Sequence, residues 1–210
     1  MKALRLAAVA ALAAAAAGCG GHVATRTPPP AADPGGGAGL RGLVPSPLPR
    51  KPEFTLTDTA GRPYDFAART RGDLTYLYFG YTHCPDACPA TMSELAYAVH
   101  SEPASVRRRT RVVFVTVDPR RDTRRALRAW LDHYDRAFVG LTGSIAAIDA
   151  AEHDAGVPVA PAEPEAGSHY AVSHSSVVLP YSPDGRAHVV YTQGFRPADF
   201  AHDLPLLLRY

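Results

Sequence analysis

Cysteine is scarce in this chain: three occur among 210 residues. That count excludes a framework of disulfides. Cys19 belongs to the N-terminal leader, which leaves Cys84 and Cys88 as a single pair. Without a second pair there is no ordinary zinc ribbon. Without a histidine directly after the second cysteine there is no haem-attachment motif. An excess of either charge is also missing. Lys and Arg total 22 against 20 Asp and Glu, a net charge of +2, so charge gives no case for nucleic acid. The arginine clusters, Arg107 to Arg111 and Arg120 to Arg128, read as a solvated helix face and a loop in preference to a patch facing anionic lipid or an acidic partner. No internal repeat is present, and the apolar run Leu6 to Ala17 is too short to span a bilayer as a stable anchor.

What is present begins with a leader. Lys2 and Arg5 precede that apolar run, and Ala16-Ala17-Gly18-Cys19 follows it, so residues 1–18 read as a secretory signal. Small residues directly before Cys19 resemble the bacterial lipobox, with Ala16 where leucine is usual. That resemblance implies cleavage before Cys19, a lipid on its thiol and a chain held on a membrane surface. From residue 19 to 50, Gly, Pro, Ala and Thr dominate, as in Pro28-Pro29-Pro30 and Gly35-Gly36-Gly37. Such a segment buries too little apolar surface to fold and reads as a flexible tether. The folded domain is then 51–210.

Within it, Phe54 to Thr57 alternates as a strand, Asp58 to Arg62 turns, and Tyr64 to Phe66 returns, which predicts an N-terminal hairpin. The run Thr75 to Phe79 is a strand ending at Gly80, and a helix follows Cys88 with Met92, Leu95 and Val99 on one stripe. Arg111 to Val117 is β-branched enough for a strand buried on both faces. A helix capped by Asp122 or Thr123 runs to about Tyr134. Phe138 to Leu141 is a strand, and Ser144 caps a helix from Ile145 to about Ala155. An exposed loop covers 156–167. His174 to Leu179 and Ala187 to Tyr191 form an inserted hairpin around Pro183 to Arg186. Pro197 opens a last helix to about Arg209, with Pro205 as a possible break. Strands alternating with helices give an α/β fold: a central mixed sheet flanked by helices.

The thiols sit where a strand hands over to a helix, beyond the carboxyl end of the strand, where chemistry gathers in such sheets. Asp118 lies past another such end. A helix N-terminus favours thiolate over thiol. Cys-x-x-x-Cys puts both sulfurs on one side of a helical turn, near enough to share a soft ion or to close a disulfide. A stapling disulfide across four positions would restrict the unfolded chain little. Two sulfurs on a soft ion want a third donor. Of nine histidines, most read as tether or helix residues. His174 opens a strand after a loop, and position alone leaves it equally a ligand or a surface hydrogen-bonding residue.

The run Tyr78-Phe-Gly-Tyr-Thr-His-Cys-Pro-Asp-Ala-Cys-Pro89 resembles the signature of the Sco/SenC family. So do Val117-Asp-Pro-Arg-Arg-Asp-Thr123, Gly140-Leu-Thr-Gly143 and Val172-Ser-His-Ser175. The match runs in order over roughly 50 to 205. The resemblance implies a thioredoxin-like domain outside the cytoplasm, held to the outer face of the cytoplasmic membrane. It implies copper, as Cu(I) or Cu(II), on Cys84, Cys88 and His174. It also implies partners: an upstream copper donor and cytochrome c oxidase subunit II, whose copper site such proteins help to assemble. Asp118 is then a candidate supporting residue beside the metal. Ser173 stands where the family commonly has aspartate, so the carboxylate that would orient the imidazole is replaced by a hydroxyl. The alternative role for the same dithiol is thiol–disulfide reduction of a partner, without the chain being a turnover enzyme. A peroxidatic reading fails, because Tyr81 and Leu77 occupy the threonine and proline places of Pro-x-x-x-Thr-x-x-Cys.

Overall fold

A computed structural model of the chain describes residues 39–159, 172 and 174–210. In chain order the elements are β1 (Thr55–Asp58), β2 (Pro63–Asp65), α1 (Phe66–Arg69), β3 (Leu74–Gly80), α2 (Ala87–Ser101), α3 (Ala104–Arg107), β4 (Thr110–Thr116), α4 (Arg124–Leu131), β5 (Val139–Thr142), α5 (Ile145–Asp154), β6 (Val178–Tyr181) and α6 (Pro197–Leu207). The strands form one six-stranded sheet in the order β2-β1-β5-β4-β3-β6. β3, β4 and β5 run parallel, while β1, β2 and β6 pair antiparallel. The expected mixed sheet flanked by helices is therefore present.

The sheet is buried on both faces because its central strands are apolar at both parities. In β3, Tyr76 and Tyr78 face one core with Val112 and Phe114 of β4. There they meet Met92 and Leu95 of α2, Leu127 and Leu131 of α4, and Phe200 and Leu204 of α6. The alternate residues Leu77, Phe79, Val113 and Val115 face the other core with Phe66, Ile148 and Ala151. Thr123 caps α4 by accepting the N–H of Ala126, and Ser144 caps α5 by accepting that of Ala147. The hairpin turn after β1 is closed by Asp58, whose carboxylate accepts the N–H groups of Ala60 and Arg62. Gly61 adopts φ +84° in that turn.

Four expectations are refined. The strand read from His174 begins only at Val178, and α6 continues through Pro205 to Leu207. The returning half of the inserted hairpin pairs through isolated bridges, Val178 with Tyr191 and Tyr181 with Ala187. The fourth is a correction. Residues 39–50, assigned to the tether by their composition, lie on the domain. Leu40 is buried, Leu43 bridges Val190 and Arg50 bridges Arg186. The Asp203 carboxylate of α6 accepts the N–H groups of Arg41 and Gly42, each at 2.9 Å, and the Tyr191 hydroxyl. Glycine and proline content signals low apolar burial on average. It does not register backbone groups paired one at a time. The signal residues 1–18, Cys19, Ser173 and most of the loop read over 156–167 lie outside the described residues. Among the described residues no helix is long and apolar enough to cross a membrane.

Candidate metal centre

β3 and β4 end level with each other, Gly80 opposite Thr116. The chain beyond β3 turns once, with the Cys84 N–H donating to the Tyr81 carbonyl, before α2 starts at Ala87. Cys84 is therefore held by a loop and is half-buried, whereas Cys88 sits in the first turn of α2 and is fully buried. The first N–H groups of a helix have no carbonyl partners, and that of Cys88 points at the Cys84 sulfur, 3.4 Å away.

His174 arrives from the other side, in the irregular stretch just before β6. Its Nε2 stands 3.5 Å from the Cys84 sulfur and 3.5 Å from the Cys88 sulfur. Its Nδ1 lies 3.0 Å from the carbonyl oxygen of Ser175. A carbonyl only accepts, so the proton belongs on Nδ1 and the lone pair of Nε2 faces the two sulfurs, the tautomer a metal needs. Two tyrosine rings stand edge-on to the imidazole: Tyr81 with centroids 5.4 Å apart and Tyr78 at 6.2 Å. The backbone of Val172 hydrogen-bonds the Tyr81 hydroxyl, which ties down the segment leading into His174.

The sulfur of Cys88 receives the Tyr78 hydroxyl at 3.7 Å and the backbone N–H of Tyr81. Burial nevertheless pushes its thiol up to about 12, the donated hydrogen bonds opposing only part of that shift. The expectation that the helix N-terminus would favour thiolate thus fails at Cys88, where desolvation outweighs the dipole. A metal or an oxidant has to displace its proton.

The three donor atoms of Cys84, Cys88 and His174 lie within 4.8 Å of one another, the one such group among the described residues. The structure brings together all three residues named as ligands from the sequence. Other histidines are engaged elsewhere: His100 with Asp135, His188 with Asp184 and His202 with Asp203. Asp118 is buried and paired with Arg121, whose guanidinium lies 5.7 Å from the centre of the Tyr81 ring. Asp118 is thus linked to the imidazole through Arg121 and Tyr81. Two participants escaped the sequence reading. Asp122, read there as a possible helix cap, binds Thr82 in the thiol loop. Gly80, read as the end of a strand, makes room for the Cys88 sulfur.

Two thiol sulfurs and an imidazole nitrogen within 4.8 Å of one another form a soft donor set, suited to copper in low coordination. The comparisons agree with that chemistry. A putative copper-binding protein of Stutzerimonas stutzeri is 36% identical over 147 residues, covering 68% of this chain and 71% of its own. The mitochondrial SCO2 homologue of Bos taurus is 35% identical over 136 residues, 63% of this chain. This chain spans only 50% of that relative's length. The structure of Bradyrhizobium japonicum ScoI with copper bound superposes with a TM-score of 0.66 at 29% identity, covering 74% of this chain and 98% of ScoI. The SCO1/SenC family model matches residues 45–209, which include both cysteines, His174 and the whole sheet, and the chain belongs to that family.

Proposed function

We propose that this chain is a copper carrier that binds one copper ion through Cys84, Cys88 and His174. It hands the ion to, or prepares, the copper site of cytochrome c oxidase subunit II. The observation that carries the reading is the equal 3.5 Å separation of His174 Nε2 from both sulfurs, across 86 and 90 residues of sequence. A histidine with only a surface role has no reason to bring an unprotonated nitrogen to two thiols. Copper enters as cargo. The thiols give up protons as it binds, and the half-buried Cys84 leaves one side open for a partner's ligands. In this reading an upstream donor loads the site. Cys19 carries a lipid that keeps the domain on the outer face of the cytoplasmic membrane.

The test is a copper count on the full chain under reducing conditions. One ion per chain is expected for the unsubstituted protein and none held tightly after Cys84→Ser, Cys88→Ser or His174→Ala. Full affinity in the double cysteine variant would end the proposal.

One observation supports a companion role. Both cysteines are free thiols with their sulfurs close together, so the dithiol could reduce a disulfide on the oxidase before copper delivery. His174→Ala separates the two roles. It removes a copper ligand and leaves the dithiol intact, so oxidase assembly that persists in that variant at limiting copper assigns the work to reduction.

A further inference from the structure

Asp122 is fully buried at the turn between β4 and α4. It does not cap α4, because Thr123 does so. Its carboxylate accepts the Thr116 hydroxyl at 2.6 Å, the Thr82 N–H at 2.9 Å and the Thr82 hydroxyl at 2.5 Å. Nδ1 of His83 lies 3.5 Å away. Three donors thus converge on one carboxylate that spans from the end of β4 to the loop carrying Cys84.

The two sulfurs are held by different means. Cys88 is fixed by α2. Cys84 hangs on the loop 81–86, which Pro85 interrupts, and Asp122 grips that loop two residues ahead of the sulfur. Moving from the present arrangement to a disulfide, with sulfurs about 2.05 Å apart, requires the loop-held sulfur to travel toward the helix-held one. We propose that Asp122 is a positioning residue that holds Cys84 in the ligand arrangement and opposes its closure onto Cys88. It acts through Thr82 and touches neither sulfur in the hydrogen bonds described.

The redox consequence is read against glutathione. Two protein thiols and one glutathione disulfide give one Cys84–Cys88 bond and two glutathione thiols. Two electrons pass from the protein sulfurs to the glutathione sulfurs, and the two protons follow. Releasing the loop removes the opposition to closure and shifts this equilibrium toward the protein disulfide by about tenfold, the worth of one charge-assisted hydrogen bond. Cu(I) affinity falls by a similar factor, because a looser donor costs more to order. The affinity arm rests on the copper reading and the redox arm does not.

The full chain is used, as Asp122→Asn, Thr82→Val and Thr82→Ser, beside Asp203→Asn. The last alters an equally buried carboxylate that accepts Arg41, Gly42 and Tyr191 and makes no hydrogen bond to the thiol loop in the bonds described. Asp122→Asn and Thr82→Val are expected to move both the glutathione equilibrium and Cu(I) retention against a chelator about tenfold. Thr82→Ser should restore both, and Asp203→Asn should lower thermal stability while moving neither. If Asp122→Asn does not fold, Thr82→Val decides alone, since it keeps Asp122 and the Thr82 N–H. An unchanged glutathione equilibrium in Thr82→Val, or an equal shift in Asp203→Asn, overturns the proposal. Failure of the unsubstituted chain to bind copper would end the copper reading and leave the redox arm standing.

Discussion

Gly80 and Cys88 contend for one space: a Cβ built on Gly80 would lie 2.6 Å from the Cys88 sulfur and 3.1 Å from the Phe114 ring. No real side-chain carbon tolerates the first distance, so glycine here is a matter of clearance. Gly80→Ala is expected to drive the sulfur or the start of α2 away from β3, costing about 1–3 kcal/mol as an overpacked core does. Cu(I) retention should drop with it. Thermal unfolding and chelator competition check the two effects, and undiminished retention would mean that the sulfur shifts without harm.

The two thiols should differ in accessibility. Cys84 is half-buried and Cys88 has no exposed surface, and the Cys88 thiol keeps its proton through neutral pH. Brief alkylation of the reduced, metal-free protein with iodoacetamide is therefore expected to label Cys84 well ahead of Cys88. Peptide mass analysis reads the order. Equal labelling of both in the folded protein would contradict the burial of Cys88 in the first turn of α2.

Glu152, on α5, is buried, and that burial, with a smaller contribution from Asp149, raises its carboxyl from 4.5 to about 7. Below pH 4.5 the group is protonated in both folded and unfolded chains. Between 4.5 and about 7 the unfolded chain ionises while the folded one keeps its proton, so stability declines as pH rises through that window and then levels off. The total decline from this group is on the order of 3 kcal/mol. Glu152→Gln is expected to remove this slope. Denaturant titrations at pH 5 and pH 8 make the comparison, and an identical slope in the variant would assign it to other groups.

Asp203 holds the N-terminal segment. Asp203→Asn removes the charge and turns an amide NH2 toward groups that the carboxylate holds, with an expected loss of about 2–4 kcal/mol. Cleavage after Arg41 by an arginine-specific protease should speed up in step. Protection of Arg41 at the unsubstituted level would show that Leu40 and the Leu43–Val190 bridge suffice.

The sequence makes the thiol pair legible because Cys84 and Cys88 are four residues apart, and local spacing reports local geometry. The strands over Leu74–Gly80 and Thr110–Thr116 are legible for a similar reason, being β-rich and apolar at both parities. His174 could be preferred among nine histidines only through its place before a strand and the family resemblance. The 3.5 Å approach of its Nε2 is a product of the whole fold. Asp122 was hidden by ambiguity: an acidic residue just ahead of a helix reads as a cap, and only the structure shows its carboxylate turned back toward Thr82. Residues 39–50 misled through composition, since pairings such as Arg41 with Asp203 join residues 162 apart.

The clamp between Asp203 and the Arg41–Gly42 backbone has a mechanical side. A tug on the chain ahead of Gly39 meets α6 and the Leu43–Val190 bridge first, much as a cable clip spares the terminal behind it.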